Sequence, residues 1–247
     1  MKEKKVVVVL PAYNAEKTLE KTVSEIPKDY VDEIILVDDG SLDNTYKIAK
    51  KLKLTAYKHK TNKGYGANQK TCYKLALAHN ADIIIMLHPD YQYDPKVIKY
   101  FVEIIQDGYF DIMLGTRIRS RQEAIQSGMP IYKYFANRIL TFIENILSGQ
   151  NLSEWHTGYR AFRKKVLQTI PFEKNSDDFV FDTQILFQAV ERGFRIGELS
   201  IPARYLPESS SINFKRSIIY AVLTLKTAVL YFLRSLVTQN KYEPKTK

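Results

Sequence analysis

Ile83-Ile84-Ile85-Met86-Leu87-His88-Pro89-Asp90-Tyr91-Gln92 is the stretch whose reading decides the fold. Five apolar residues without alternation read as a strand covered on both faces, and the polar cluster that follows stands at its carboxyl end. Two other runs end in the same way. Val6 to Leu10 empties into Pro11-Ala12-Tyr13-Asn14, and Ile34 to Val37 empties into Asp38-Asp39-Gly40-Ser41. In an open α/β sheet ligands bind outside these carboxyl ends, so three strands deliver polar groups to one rim.

Helical patterns fill the gaps between the runs. Asn14 is placed to cap a helix carrying Leu19, Val23 and Ile26, and Asp43 or Asn44 to cap a second with Ile48, Ala49 and Leu52. Leu54 to Tyr57 reads as a short strand, and Asn62-Lys63-Gly64-Tyr65-Gly66 as a turn into a helix from about Ala67 to His79. Asp94 caps a helix that starts at Pro95, and Asp111 to Leu114 is a fifth strand. This alternation with short connections predicts an α/β fold, a mostly parallel, Rossmann-like sheet with helices on both faces. Beyond Gly115 the rhythm changes to a basic loop, Arg117-Ile118-Arg119-Ser120-Arg121. A long amphipathic pattern follows from Ile131 to Leu147 through Phe135, Ile139, Phe142, Ile143 and Ile146. Trp155 to Phe162 is expected to be extended, Phe181 to Arg192 helical, and Ile196 to Ile201 a strand.

The formal charge of +10 on 247 residues calls for an anionic partner: nucleic acid, a membrane surface or a phosphorylated substrate. Basic residues are scattered without an aromatic-basic ladder, which makes nucleic acid the weakest of the three. The single cysteine, Cys72, forbids an intramolecular disulfide and reads as a core thiol. The apolar run after Lys4-Lys5 stops at Pro11, too short for a secretory signal, so a cytoplasmic location is expected. Lys215 to Val237 is the most apolar segment, but Lys226 and Arg234 leave no uncharged run of about 18 residues for spanning a bilayer. Two readings of 215–237 stay open. One is peripheral contact with the cytoplasmic face of a membrane, flanked by Lys215, Arg216, Arg234 and Lys241; the other is packing on the rest of the chain or on a second copy in a homo-oligomer.

Val9-Leu10-Pro11-Ala12-Tyr13-Asn14, Ile35-Leu36-Val37-Asp38-Asp39-Gly40-Ser41, Asn62-Lys63-Gly64, Met86 to Gln92, Leu114-Gly115-Thr116-Arg117 and Thr157-Gly158-Tyr159-Arg160-Ala161-Phe162 occur in that order. As an ordered set over roughly residues 5 to 214 they resemble the family 2 glycosyltransferases of the GT-A fold, and among them the polyprenol (dolichol) phosphate sugar synthases. The resemblance implies inverting transfer of a hexosyl group from a UDP- or GDP-linked sugar to a polyprenyl phosphate. A saccharide or lipid hydroxyl as acceptor, or a catalytically silent nucleotide-sugar-binding protein, are the alternatives. It further implies a catalytic unit over 1–214, with a nucleotide-binding half to about 117 and an acceptor half from 118, followed by the helix and polar tail of 215–247.

By this resemblance Pro11, Tyr13, Asn14 and Val37 belong to the nucleotide pocket, and Asp39 accepts a hydrogen bond from the base or ribose. Asp90 matches the last carboxylate of the family's Asp-x-Asp, which holds Mg2+ or Mn2+ on the donor diphosphate. His88 stands where the first Asp is expected, and imidazole suits Mn2+ better than Mg2+. Asp90 acting alone, His88 assisting it, and Arg117 replacing part of the metal's charge are all compatible with the residues. Gln92 falls near the transferred sugar, Arg117 meets a phosphate, and Lys133 and Arg138 are candidate acceptor-phosphate cations. Arg119 and Arg121 read as solvated. Glu154, His156 and Asp182 are candidates for a base or acceptor clamp. Arg204 and the loop 207–214 resemble a segment that closes over the donor.

Overall fold

The computed structural model describes residues 4–118, 120–204 and 214–239. In β1 (Val6–Ala12), Val6, Val8 and Leu10 join one hydrophobic cluster while Val7 and Val9 join another. β4 (Ile83–Met86) divides in the same way, Ile83 and Ile85 to the first and Ile84 and Met86 to the second. Unbroken apolar runs are required because water reaches neither face.

The first cluster is completed by Leu19 of α1 (Leu19–Ser24) and by Ile98, Phe101, Val102 and Ile105 of α4 (Ile98–Gln106). Cys72, Tyr73 and Ala76 of α3 (Tyr65–Ala78), with Phe181, Ile185 and Leu186 of α8 (Phe181–Glu191), complete the second. Each large side chain so buried contributes roughly 1.5–3 kcal/mol. Burial also pushes the Cys72 thiol well above its ordinary pKa, as an inert core residue requires.

Parallel to β1 run β4 on one side and β2 (Glu33–Asp38) on the other, with β3 (Thr55–Lys58) parallel to β2. β6 (Arg160–Arg163) is inserted antiparallel between β4 and β5 (Ile112–Thr116), and β7 (Ile196–Ser200) lies parallel to β5. The described strands form one seven-stranded sheet in the order β3-β2-β1-β4-β6-β5-β7. A strand from beyond residue 117 thus sits in the middle of the sheet, and the two expected halves share it. Between α2 (Thr45–Lys51) and α3, Asn62, Lys63 and Gly64 form an irregular connection in which Gly64 has φ 99°.

Two local expectations give way. Asn14 caps no helix: it adopts a left-handed backbone (φ 50°), and its side-chain oxygen accepts the Leu42 N–H across the rim. Only Arg160 to Phe162 of the aromatic stretch lies in a strand, because the carbonyls of Trp155 and Thr157 turn inward to the buried Arg160 guanidinium instead of joining the ladder.

After α5 (Arg121–Gln126), α6 (Ile131–Ser148) buries Tyr134, Asn137, Leu140, Thr141 and Glu144, while the apolar residues Phe135, Ile139, Phe142 and Ile146 face outward. α7 (Lys164–Thr169) follows β6. α9 (Phe214–Gln239) packs along α6 and α8 with Thr224 and Ala228 fully buried. By length and average hydropathy Lys215–Val237 suffices to cross a bilayer despite its interrupting charges, and its packing on α6 and α8 leaves most of it unburied. The Ser-rich segment 207–213, Arg119 and Lys241 lie outside the described residues.

α3 meets the loop before α8 at Gly66, whose N–H donates to the Asp177 carbonyl at 2.7 Å. A Cβ there would stand 2.4 Å from the Ser176 carbonyl oxygen and 2.9 Å from Phe181 Cβ. Gly66→Ala is expected to cost about 1–3 kcal/mol by overpacking, read as a fall in Tm of about 2–4 °C per kcal/mol. An unchanged Tm would contradict this close approach.

Candidate active site

The carboxyl ends of β1, β2 and β4 open into a cleft of about 1180 Å3 lined by Pro11, Tyr13, Asn14, Asp39, Lys63, His88 and Asp90 among others. The β2 turn requires glycine at its tip: Gly40 has φ +76°, and a Cβ there would sit 2.9 Å from the Asn62 nitrogen. That approach lets Asp39 fasten the loop before α3. Its Oδ1 accepts from His59 Nδ1 at 2.6 Å and from the Lys63 N–H, and its Oδ2 from the Gly64 N–H. Asp39 therefore shapes the cleft wall through its own hydrogen bonds. Val37 is a core residue whose carbonyl accepts from Asn68, and it lines neither this cleft nor the cavity described next.

A second, smaller cavity of about 220 Å3 lies between α6 and α9. Arg117, Lys133, Gln92, His156, Asp182, Tyr220 and the apolar Met129, Ala136, Leu140 and Ala221 line it. Tyr65, His88, Asp90 and Phe179 line both spaces and so form the wall they share. Asp90 Oδ1 accepts the Gln92 N–H at 3.0 Å. The turn is strained, since Tyr91 adopts φ 58°. Tyr91 is held by a hydrogen bond to Glu25 and by Lys21 and Arg204, each about 4.5 Å or less from its ring centre. Arg204 thus stacks on Tyr91, with Asp94 Oδ2 at 3.4 Å, and lines neither space.

His88 is half-buried and stacks on Tyr65, a residue that the sequence places in a turn without giving it a role. The Tyr65 phenol donates to Asp182 Oδ2 at 2.7 Å, and burial together with Asp182 raises its pKa, so it keeps its proton. Its one proton being spent there, the 3.1 Å contact to His88 Nε2 is made by an imidazole N–H. Burial pushes the His88 pKa below its ordinary value against the pull of Asp90 and Asp182, and the ring is neutral near pH 7.

Glu154 and both Asp182 oxygens are engaged in hydrogen bonds, whereas His156 is hydrogen-bonded through Nδ1 alone. Asp182 Oδ1 accepts from Gln69, and Arg160 Nη1 lies 3.6 Å away. His156 Nδ1 lies 2.7 Å from the Tyr220 hydroxyl, and its Nε2 3.1 Å from Glu144 Oε2. Glu154, fully buried, accepts from the Arg117 N–H and guanidinium and from Asn137. Arg117 also donates to the His156 carbonyl, so its guanidinium is oriented by an ion pair and a backbone acceptor. Burial, then Arg117, lowers the Lys133 pKa, while Arg138 turns to the Ser153 carbonyl. Tyr220 and Glu144 escape sequence reading because they meet His156 only once α6 and α9 have packed.

The residues present fit a divalent ion sparingly. Asp90 offers a carboxylate and His88 a neutral imidazole, a pair that favours Mn2+ over Mg2+. Among the described residues no group of three or more His, Cys, Asp or Glu gathers, so such an ion would draw most of its ligands from a diphosphate and water.

Burial alone raises the Glu154 pKa, but the charge and hydrogen bonds of Arg117 outweigh it and hold the carboxyl below the usual range. A lowered folded pKa gives stability that is complete above the unfolded value, about 4.3, and lost as pH falls through the folded value. Glu154→Gln is expected to lose about 3–5 kcal/mol at pH 7 by leaving Arg117 underpaired, and to decline less steeply below pH ~4.3. Denaturant unfolding at pH 7 and between about pH 5 and 3 checks both; wild-type stability at pH 7 would refute the pairing.

Residues 7–170 match the family model described as Glycosyl transferase family 2. The chain is 32% identical over 249 residues, 92% of its length and 98% of the relative's, to the UDP-N-acetylglucosamine–dolichyl-phosphate N-acetylglucosaminyltransferase of Methanococcus voltae. It is 28% identical over 199 residues, covering 80% of this chain and 82% of the relative, to the dolichyl-phosphate hexose transferase of Haloferax volcanii. In fold it is similar to glucosyl-3-phosphoglycerate synthase from Mycobacterium tuberculosis, solved with Mn2+, UDP-glucose and phosphoglyceric acid. That likeness has a TM-score of 0.72 at 18% identity, over 93% of this chain and 80% of that one. With its sheet, its rim and these matches in agreement, the chain belongs to glycosyl transferase family 2 and is a glycosyltransferase of the GT-A fold.

Proposed function

We propose that the chain is an inverting enzyme that moves a hexosyl group from a UDP- or GDP-linked sugar in the open cleft to a polyprenyl phosphate in the smaller cavity. The observation that carries this reading is the position of Asp90 on the wall common to both spaces. Pro11, Tyr13, Asn14 and Asp39 would surround the nucleotide, leaving the diphosphate at Asp90. The second space combines the cations Arg117 and Lys133 with apolar Met129, Leu140 and Ala221, a lining suited to an anionic head on an apolar chain. The relatives from Methanococcus voltae and Haloferax volcanii, both named as dolichyl-phosphate transferases, support the same acceptor class. The chain would work at the cytoplasmic face of a membrane, touching it through 215–237.

Inversion needs in-line attack through an oxocarbenium-like transition state, and a hydroxyl acceptor needs a base to take its proton. Glu154 is held ionised inside an ion pair, both Asp182 oxygens accept hydrogen bonds, and His156 is flanked by Glu144 and Tyr220. A phosphate acceptor is already anionic near neutral pH, and these engagements favour it. Asp90, with His88, would hold Mn2+ or Mg2+, whose chemistry is to neutralise charge on the departing diphosphate.

Nucleoside diphosphate release from a panel of UDP- and GDP-sugars, with and without polyprenyl phosphate, tests the proposal. Release is expected only with the lipid phosphate, to be abolished by EDTA, and to be restored by Mn2+ at least as well as by Mg2+. Asp90→Asn should lower it by roughly 10²–10³-fold. Full activity in excess EDTA would remove the metal, turnover with hydroxyl acceptors alone would remove the lipid phosphate, and donor binding without any turnover would leave a silent binding protein.

A further inference from the structure

α6 turns a mixed face of Tyr134, Asn137, Leu140, Thr141 and Glu144 inward, and its regular apolar face is not accounted for by the core. Ile131, Phe135, Ile139, Phe142 and Ile146 recur at intervals of four, four, three and four residues and are 50–66% exposed. That spacing puts them on a single face of the helix, over a length of about 22 Å at 1.5 Å per residue. The neighbouring α9 repeats the arrangement. Its inner side buries Thr224 and Ala228, while Ile218, Ile219, Val222, Val229, Leu230, Leu233, Leu236 and Val237 are 44–65% exposed. Two packed helices therefore each turn an apolar stripe outward, more than isolated surface hydrophobics require.

Charge selects the occupant. The exposed charges beside these stripes are Lys215, Arg216, Lys226 and Arg234 of α9, and the one acid on either helix, Glu144, is buried. A second copy of this face would bring cation against cation, whereas an anionic lipid surface complements it. We propose that the outward face of α6, beside that of α9, inserts into the headgroup region of an anionic bilayer. In this arrangement α6 is a second membrane-contacting element, and the small cavity, walled by Tyr132, Ala136 and Leu140 of α6 and by Ser217, Tyr220 and Ala221 of α9, opens next to the lipid. The inference rests on the reading that the chain works at a membrane, and extends it to a segment outside 215–237.

The test is co-sedimentation of the full chain with vesicles of phosphatidylcholine and phosphatidylglycerol, with no acceptor or donor present. The double variant Phe135→Glu/Phe142→Glu changes exposed positions only and is expected to lower partitioning at least tenfold while keeping wild-type circular dichroism and Tm. Phe142→Trp, a milder change, is expected to be quenched by brominated acyl chains above the Trp155 background. Wild-type partitioning by the double variant, together with an unquenched Phe142→Trp, would overturn the α6 contact while leaving membrane work through α9 intact. No partitioning by the wild type would overturn both. A wild-type dimer that the double variant converts to monomer, with vesicle binding unchanged, would assign the face to a second copy and overturn the bilayer. Since no turnover enters the readout, failure of the proposed transfer reaction would leave the result standing.

Discussion

A buried guanidinium organises the site. Arg160 is fully inaccessible, and a cation taken out of water is tolerable only when every donor is satisfied and a counter-charge stands near. Its donors go to the carbonyls of Trp155, Thr157 and Asp182, with the Asp182 carboxylate at 3.6 Å from Nη1. The loop between Trp155 and Tyr159 is wound by that demand. It places Gly158 so close to His88 that a Cβ would stand 2.5 Å from the imidazole Nε2. His88 then meets Tyr65, Tyr65 meets Asp182, and Asp182 meets Arg160, which closes a ring of contacts across β4, α3, α8 and β6. Asp182, read from sequence as a base or acceptor clamp, is a member of that ring.

The ring also explains how one carboxylate can face two spaces. Tyr65 and His88 are rigid rings stacked at 5.5 Å, with Phe179 4.6 Å from Tyr65, and together they make a thin aromatic wall beside Asp90.

The rim was legible because its cause is local. Apolar runs in β1, β2 and β4 must end where polar residues begin, and Pro11, Asn14, Asp39 and Asp90 follow from that rule alone. The short strand β6 was legible only as an extended stretch, since nothing near Ala161 announces that it will pair antiparallel inside a sheet built by residues far away. Partners were less legible than positions. Asp39 could be placed at the cleft, but not that His59 and the Lys63 and Gly64 amides would claim its oxygens. Arg117 could be placed on the β5 loop, but its ion pair with Glu154 spans 37 residues and depends on packing that no spacing encodes. The stacking of Arg204 on Tyr91 and the core position of Val37 could not be read either, because adjacency to a motif says nothing about which way a side chain turns.

The same limit governs the amphipathic patterns. A helix with apolar residues at regular spacing is ordinarily read as turning them to the core. α6 reverses this: it sends Asn137, Thr141 and Glu144 inward, where Asn137 donates to Glu154 and Glu144 stands against His156, and turns its isoleucines and phenylalanines out. Burying polar groups at the cost of exposing apolar ones is unfavourable in water unless the inner groups are paired by a network and the outer ones find another medium. Both conditions bear on the smaller cavity, because Tyr220 of α9 is held to His156 while Thr183 of α8 lies against it. α9 is consequently part of the cavity wall as well as an outer surface. Whatever seats its exposed stripe also fixes Tyr220, and through Tyr220 the imidazole beside the loop that Arg160 winds.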